Sequence, residues 1–292
     1  MVVVFGCRGQ LASSLKSTTL GASASFLGSD VADFLQTDVV EILNRLNPQV
    51  IINAAAYTNV DRAEVDRKNA ERVNAITPGL IADWAARHNR SLIHFSTDYI
   101  FSGGGARAWK IDDQPEPVNW YGSTKLDGEK RIRESGAHHV ILRTSWLYSA
   151  HGHNFLRTML RLNQTHSYLS VVADQHGSPT FARDVAQFVD QAFSLIAARR
   201  VQGTFHVVNE GTTTWHGFAS EIFRQIQSMQ GDRLTTPVIK AVSSKEFPTI
   251  ARRPLNSCLD TTQTLSTFPF RMPSWTDALR RCLLEIEADN AH

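Results

Sequence analysis

Short apolar runs alternate with amphipathic stretches through the first half of the chain. Val2–Phe5, Ser25–Gly28, Val50–Ala54, Ser91–Ser96 and Val140–Thr144 read as strands. They are brief and mostly apolar, as strands covered on both faces are. Between them, Leu11–Lys16, Val39–Leu46, Ala70–His88 and Tyr121–Ser135 read as helices. In the third of these, Val73, Ile76, Leu80, Ile81 and Trp84 recur at helical spacing. Strands that alternate with helices predict a parallel sheet with both faces covered. The expected fold class is therefore α/β, a Rossmann-like doubly wound parallel sheet.

The second half is less regular. It predicts a helix over Val185–Ala198, a return strand over Gly203–Val208 and a helix over Thr214–Gln230 that Thr213 or Thr214 could cap. Pro237–Val242 reads as extended, and Asp277–Ala288 as a last amphipathic helix. Prolines gather between Pro237 and Pro273, which suggests a compact lobe with many turns. The expected division is a dinucleotide-binding domain over 1–147, with return segments around 181–210. A smaller α/β substrate-binding lobe would take 148–180 and 211–292. No flexible linker tract separates them, so a cleft between packed lobes is expected.

Composition narrows the picture. Of the 292 residues, 42% are hydrophobic and 20% charged, which is ordinary for a globular protein with a sizeable core. The formal net charge is only +2, so neither nucleic acid nor an anionic membrane is an expected partner. No apolar run has the length of a membrane span. Met1–Phe5 is apolar but lacks a basic flank and stops at Gly6, so it reads as a strand and not as a signal peptide. Cys7, Cys258 and Cys282 are too few and too scattered for a zinc site or a disulfide framework. A reducing cytoplasm is the expected location.

Three segments carry candidate chemistry. Gly6-Cys7-Arg8-Gly9-Gln10-Leu11-Ala12 follows the first strand and opens a helix. Small residues there let a backbone approach a pyrophosphate closely, and the plain alternative is a tight strand-to-helix turn. Nicotinamide choice is less marked: Asp30 could bond a ribose diol, whereas Arg8 could pair with a 2′-phosphate or be an exposed loop arginine. NADPH is the expected cofactor, with NADH left open. Asn53-Ala54-Ala55-Ala56-Tyr57-Thr58 places small residues at the end of a central strand, where open parallel sheets bind ligands.

The third segment is His94-Phe95-Ser96-Thr97-Asp98-Tyr99-Ile100-Phe101, with Tyr121-Gly122-Ser123-Thr124-Lys125 in the next helix. Tyr121 and Lys125 lie one helical turn apart on one face. Such an ammonium is expected to pull the phenol's pKa down. Alone, Tyr-x-x-x-Lys is an ordinary helix face. With strand-end hydroxyls it forms a Ser/Thr–Tyr–Lys set suited to proton transfer beside a hydride transfer. Ser102-Gly103-Gly104-Gly105 reads equally as a lid or a turn. Trp109, Trp120, Trp215 and Trp275 read as packing, His138-His139 as solvated, and His151 and His153 as loop residues with no metal spacing.

Together these segments resemble the extended short-chain dehydrogenase/reductases, and among them the family that reduces dTDP-4-dehydrorhamnose. Arg143-Thr144-Ser145-Trp146, Asp174–Thr180, Gly211–His216 and Ala251-Arg252-Arg253-Pro254 carry the narrower resemblance. It implies NADPH-dependent reduction of the 4-keto group of a nucleotide sugar, dTDP-4-dehydro-L-rhamnose, to dTDP-L-rhamnose. Tyr121 would be the proton donor, Lys125 its electrostatic partner and ribose ligand, and Thr97 the group bonding the sugar carbonyl. Asp98, Trp146 and Arg253 would contact the sugar nucleotide, with Arg252 an equal neighbour. Gly6, Gly9, Gln10 and Leu11 would hold the pyrophosphate. Asp33 and Phe34 would border the adenine, and Ala55, Ala56, Tyr57, Thr58 and Phe95 the rest of the cofactor. Some members of the family form dimers bridged by Mg²⁺ through carboxylates. Ser14 and Arg183 stand at the matching positions, so a monomer or a weak homodimer without a metal bridge is expected. Two other outcomes are open: another sugar-nucleotide epimerase or reductase, or a non-catalytic regulatory subunit like the methionine adenosyltransferase β chain.

Overall fold

A computed structural model describes residues 1–230 and 236–290. Its centre is a six-stranded parallel sheet. Five strands carry labels here: β1 (Val2–Phe5), β2 (Ala24–Leu27), β3 (Val50–Asn53), β4 (Ser91–Thr97) and β5 (His138–Thr144). The sixth, Gly203–His206, pairs with β5 at the far edge. Across the sheet the order is sixth strand, β5, β4, β3, β1, β2. The alternation of apolar runs with helices thus yields the expected α/β class.

Burial follows from the period of two along each strand. Val2 and Val4 of β1 join Ile52, Ile93, Val140 and Leu142 in one core, closed by Val185 and Val189 of the helix Ala182–Ala197. Val3 and Phe5 point the other way, to Ile51, Leu92 and Ile141, closed by Ile81, Trp84 and Ala85 of the helix Thr77–Arg87. Both faces of the sheet are covered, so nearly every residue of its inner strands is buried, the polar ones of β4 and β5 included.

A third core lies off the sheet. Leu156 and Met159 of the helix Phe155–Asn163 pack with Phe218 and Ile222 of Trp215–Gln230 and with Leu279 and Leu283 of Trp275–Asn290. Thr214 Oγ1 accepts from Gly217 N at 3.0 Å, so Thr214 is the capping threonine. The extended segment near Pro237 is a strand, Val238–Val242, parallel to Tyr168–Val172. That partner strand and the helix Phe155–Asn163 are not apparent in the sequence pattern.

The expected helix 70–88 is not uniform. Helical residues begin at Arg67, a π-turn spans Arg72–Ile76, and regular helix resumes at Thr77. Pro78 has no N–H to return to the Asn74 carbonyl four residues back, so the turn widens. The helix Trp120–Glu134 packs against this bulge through Gly128, where a Cβ would stand 2.1 Å from Asn74 O.

Candidate active site

The chain moves from β1 outward to β2 and then crosses to β3 on the other side of β1. At this switch the carboxyl ends of the strands open into a cleft of about 1130 Å³. Leu27, Gly28, Ser29, Asp33 and Phe34 line one end. Gly6, Arg8, Gly9, Gln10 and Leu11 face Ala55, Ala56 and Thr58 across the middle. Phe95, Thr97, Asp98, Tyr121, Lys125, Trp146 and Arg253 line the far end.

The loop after β1 is shaped for close backbone approach. Gly6 has φ +102°, and a Cβ there would stand 3.3 Å from the backbone of Ala54 and Ala55. Gly9 begins the helix Gln10–Lys16 with no side-chain cap, and a Cβ on it would meet no atom within 4 Å. Its free side belongs to the cleft. The Gln10 side chain is already engaged: Nε2 donates to Leu147 O at 3.4 Å, and Oε1 accepts from Ser149 Oγ (3.0 Å) and Asn154 Nδ2 (2.9 Å). It clasps the loop to the segment 147–154, leaving its backbone for any phosphate. Small residues on both walls and open N–H groups at the turn fit a dinucleotide.

At the far end, Asn119 sets the entry of the tyrosine helix. Its Oδ1 accepts from Gly122 N at 2.8 Å, and its Nδ2 donates to Arg252 O at 2.8 Å. Gly122 is needed because a Cβ there would stand 2.1 Å from Tyr99 O. This close fit brings Tyr121 beside Thr97. Burial pushes the Tyr121 phenol up to about 12, against a hydrogen bond with Thr97 that lowers it. The expectation that Lys125 would pull the phenol down is corrected. The ammonium is committed elsewhere, Nζ donating to Phe95 O at 2.6 Å and lying 3.4 Å from His94 Nε2. Burial pulls Lys125 down to about 8, with Glu129 one turn on raising it.

Asp98 is 2% exposed, and burial pushes its carboxyl up to about 6 against hydrogen bonds from Thr97, Ser257 and Ser145. Thr97 Oγ1 donates to Asp98 Oδ1 at 2.9 Å, and Ser145 Oγ to Oδ2 at 3.0 Å. The Arg143–Trp146 segment thus divides its work. Arg143 grips Glu129 of the tyrosine helix through two bonds of 2.9 and 2.8 Å, Ser145 holds Asp98, and Trp146 faces the cleft.

Trp146 has φ +46°, a left-handed conformation that costs a bulky residue of order 1–3 kcal/mol. Its ring stacks on Trp215 with centroids 3.6 Å apart. Trp215 Nε1 in turn donates to Gln175 Oε1 at 3.1 Å. Gly177 leaves room for the ring, since a Cβ there would lie 2.4 Å from Trp146 Cε2. The sequence around Asp174–Thr180 therefore acts through the tryptophan it seats. Arg253 Nη2 donates to Asp61 Oδ2 at 2.7 Å, while its Nη1 is buried without a hydrogen-bond partner among the described residues. Arg253 lines the cleft, whereas Arg252 is exposed outside it.

Some expectations are revised. Tyr57 does not line the cleft: its hydroxyl donates to Asp66 Oδ2 at 2.9 Å, and Asn74 holds its backbone N–H and carbonyl at 2.9 and 3.0 Å. Asp30 is exposed outside the lining. His138 and His139 are not solvated but buried at 7% and 6%, as the first residues of β5. Gly103 packs on Pro254, where a Cβ would stand 2.6 Å from its Cα, so this segment is a docked turn. Asn59, Asp61 and His153 line the cleft without having been singled out for it. Asn59 and Asp61 extend the segment ending at Thr58, and that adjacency was their one available signal.

A Rossmann-type sheet with a Thr–Tyr–Lys set at its switch-point cleft defines the class: a dinucleotide-dependent short-chain oxidoreductase. Residues 1–288 match the family model described as RmlD substrate binding domain. The chain is 38% identical over 293 residues to dTDP-4-dehydrorhamnose reductase of Shigella flexneri, covering 98% of this chain and 97% of that one. It is 37% identical to the protein of the same name from Salmonella typhimurium, with the same coverage. A crystal structure of dTDP-4-dehydrorhamnose reductase from Bacillus anthracis in complex with NADP superposes with a TM-score of 0.89 at 33% identity, over 97% of this chain and 98% of that one. The chain belongs to the RmlD substrate binding domain family.

Proposed function

We propose that this chain reduces the 4-keto group of dTDP-4-dehydro-L-rhamnose to give dTDP-L-rhamnose, using NADPH. The observation that carries this reading is one cleft with a glycine loop in its middle and Thr97, Tyr121 and Lys125 at its end. Residues 1–147 and the return segments around 181–210 carry the cofactor. Residues 148–180 and 211–292 carry the sugar nucleotide, of which 231–235 and 291–292 lie outside the described residues. Gly6, Gly9 and the backbone of Gln10 and Leu11 hold the pyrophosphate against Ala55 and Ala56. Asp33 and Phe34 border the adenine, Thr58 and Phe95 lie along the dinucleotide, and Arg8 stands at the rim for a 2′-phosphate. Gly28 and Ser29 follow β2 with no carboxylate at the strand end, which supports NADPH over NADH.

When bound, the cofactor supplies a hydride equivalent. Thr97 orients the sugar carbonyl by turning its one hydroxyl hydrogen from Asp98 to that oxygen, and Tyr121 gives its proton to the alkoxide that forms. Its phenol, pushed up to about 12 by burial, stays protonated at neutral pH and so is a donor from the start. Lys125 sets the field at that oxygen before charge develops. Trp146 and Asp98 border the sugar, and the Nη1 of Arg253, unpaired among the described residues, suits a diphosphate oxygen. Arg183, paired with Glu285 at 3.1 Å, is a cation and cannot ligate Mg²⁺, so the chain acts as a monomer or weak homodimer without a metal bridge.

The test is to incubate the protein with dTDP-4-keto-6-deoxyhexose, the epimerase that acts before it, and NADPH or NADH in turn. Loss of the reduced-nicotinamide absorbance is expected, faster with NADPH. Tyr121→Phe should retain NADPH binding and lower kcat by roughly a hundred- to ten-thousandfold. Near-normal turnover in that variant would remove Tyr121 as the acid.

A further inference from the structure

Behind Lys125 lies a chain of buried polar groups that the reaction as described does not use. Asn53, His94 and Lys125 are exposed by 1%, 0% and 2%. Asn53 ends β3, His94 lies in β4 beside it, and Lys125 reaches in from the tyrosine helix. Ala55 N donates to Asn53 Oδ1 at 3.2 Å, so the amide turns its NH₂ toward His94 Nδ1, 3.1 Å away. Nδ1 therefore accepts, and the neutral ring carries its proton on Nε2, a tautomer assigned from this network. Burial, and then the Lys125 charge, hold the ring's pKa well below its ordinary value, which keeps it neutral. Nε2 lies 3.4 Å from Lys125 Nζ. An ammonium at Nζ would set its own N–H against the ring's N–H, whereas an amine could accept from it.

We propose that Asn53 and His94 are positioning residues for Lys125, turning an imidazole N–H toward Nζ and so disfavouring the ammonium there. The role within the reaction rests on the reductase reading above; the effect on the lysine does not. Other charges near Nζ are accounted for. Glu129, one turn further along the helix, favours the ammonium but is gripped by Arg143 of β5 and Arg133. Asp98, just past β4, is engaged by Thr97 and Ser145. Tyr121 lies one turn back, its phenol neutral. The backbone under the cofactor, through Ala55 N–H, is thereby linked to the charge state of the lysine.

Two substitutions replace the opposing donor with an acceptor. Asn53→Asp keeps an oxygen for Ala55 N and draws the ring proton to Nδ1, freeing the Nε2 lone pair for Nζ. His94→Gln can turn its amide oxygen to Nζ directly. The probe is the Lys125 titration, followed by NMR in protein labelled with ¹³C at lysine Cε and assigned by the signal lost in Lys125→Met. In both variants the midpoint should rise by about one pH unit or more, as hydrogen bonding to a charged form does. The alkaline limb of kcat/KM should rise with it, a change that simple loss of packing would not produce. An unmoved midpoint in His94→Gln, with its thermal transition retained, overturns the proposal, because the carboxylate of Asn53→Asp raises the midpoint by its charge as well. A midpoint that rises in protein unable to reduce the sugar nucleotide upholds the proposal and overturns the reductase reading instead.

Discussion

Gly177→Ala tests whether Trp146 is a wall of the substrate site. The new Cβ would stand 2.4 Å from Trp146 Cε2, 2.7 Å from Nε1 and 2.8 Å from Cζ2. Carbon atoms prefer roughly 3.5–4.0 Å, so the ring must retreat by about an ångström. It cannot retreat freely. Trp215 stacks on it at 3.6 Å, Trp215 is tied to Gln175, and the Trp146 carbonyl accepts from Thr180 N at 3.2 Å. Overpacking of this kind costs roughly 1–3 kcal/mol. Expressed in binding, that is a rise of about 5- to 150-fold in KM for the sugar nucleotide. The dinucleotide end of the cleft is built by other residues, so NADPH affinity should hold within about twofold. The assays are steady-state kinetics with each substrate varied, fluorescence titration of NADPH, and a melting curve. An unchanged sugar-nucleotide KM together with a lowered Tm would refute the reasoning. Trp146 would then be packing alone.

Further tests follow from the same geometry. Gly9→Val should leave Tm nearly unchanged, because its side faces open space, yet weaken NADPH binding by tenfold or more, on the order of 1–3 kcal/mol of overpacking once a ligand lies there. Equal NADPH affinity in calorimetry would mean that the dinucleotide lies elsewhere. Asp98 has its folded pKa raised from 3.8 to about 6, so the stability it contributes is whole below pH 4 and is lost as pH rises to 6. Asp98→Asn should therefore gain in Tm over the parent as pH rises from 4 to 7 and level off above that. A Tm difference that is flat with pH would show that the carboxyl does not titrate there. Gln10→Ala deletes the clasp to Leu147, Ser149 and Asn154 and should raise the KM for both substrates, where loss of a phosphate ligand alone would raise only that for NADPH.

Much of the fold was legible because burial on both faces leaves a local signature. β1 and β3 are short apolar runs, β4 keeps Leu92, Ile93 and Phe95 between polar residues, and the helices between them keep one apolar stripe. Tyr168–Val172 escaped because it lies in a small two-stranded unit, with Tyr168 and Ser170 exposed. The π-turn is missed by a single helix running over Ala70–His88, through Pro78; its place is set by Pro78 and by the close packing of Gly128 on the Asn74 carbonyl. His138 and His139 looked solvated because polarity was read in place of strand register, in which they pair with Ser91 and Leu92 of β4.

The sequence alone determined the residue types of the site and their order along the chain. Small residues at strand ends, a hydroxyl pair, and a tyrosine four residues before a lysine are local facts, set by spacing of a few residues. Tertiary structure decided what each of them does. It turned Tyr57 away to Asp66, tied Gln10 to Ser149 and Asn154, placed Arg253 and not Arg252 in the cleft lining, and aimed Lys125 at Phe95 O and His94 instead of at the phenol. The physical reason is that charge state and orientation depend on groups far apart in the chain. Lys125 meets His94 across 31 residues, and Gln10 meets Asn154 across 144.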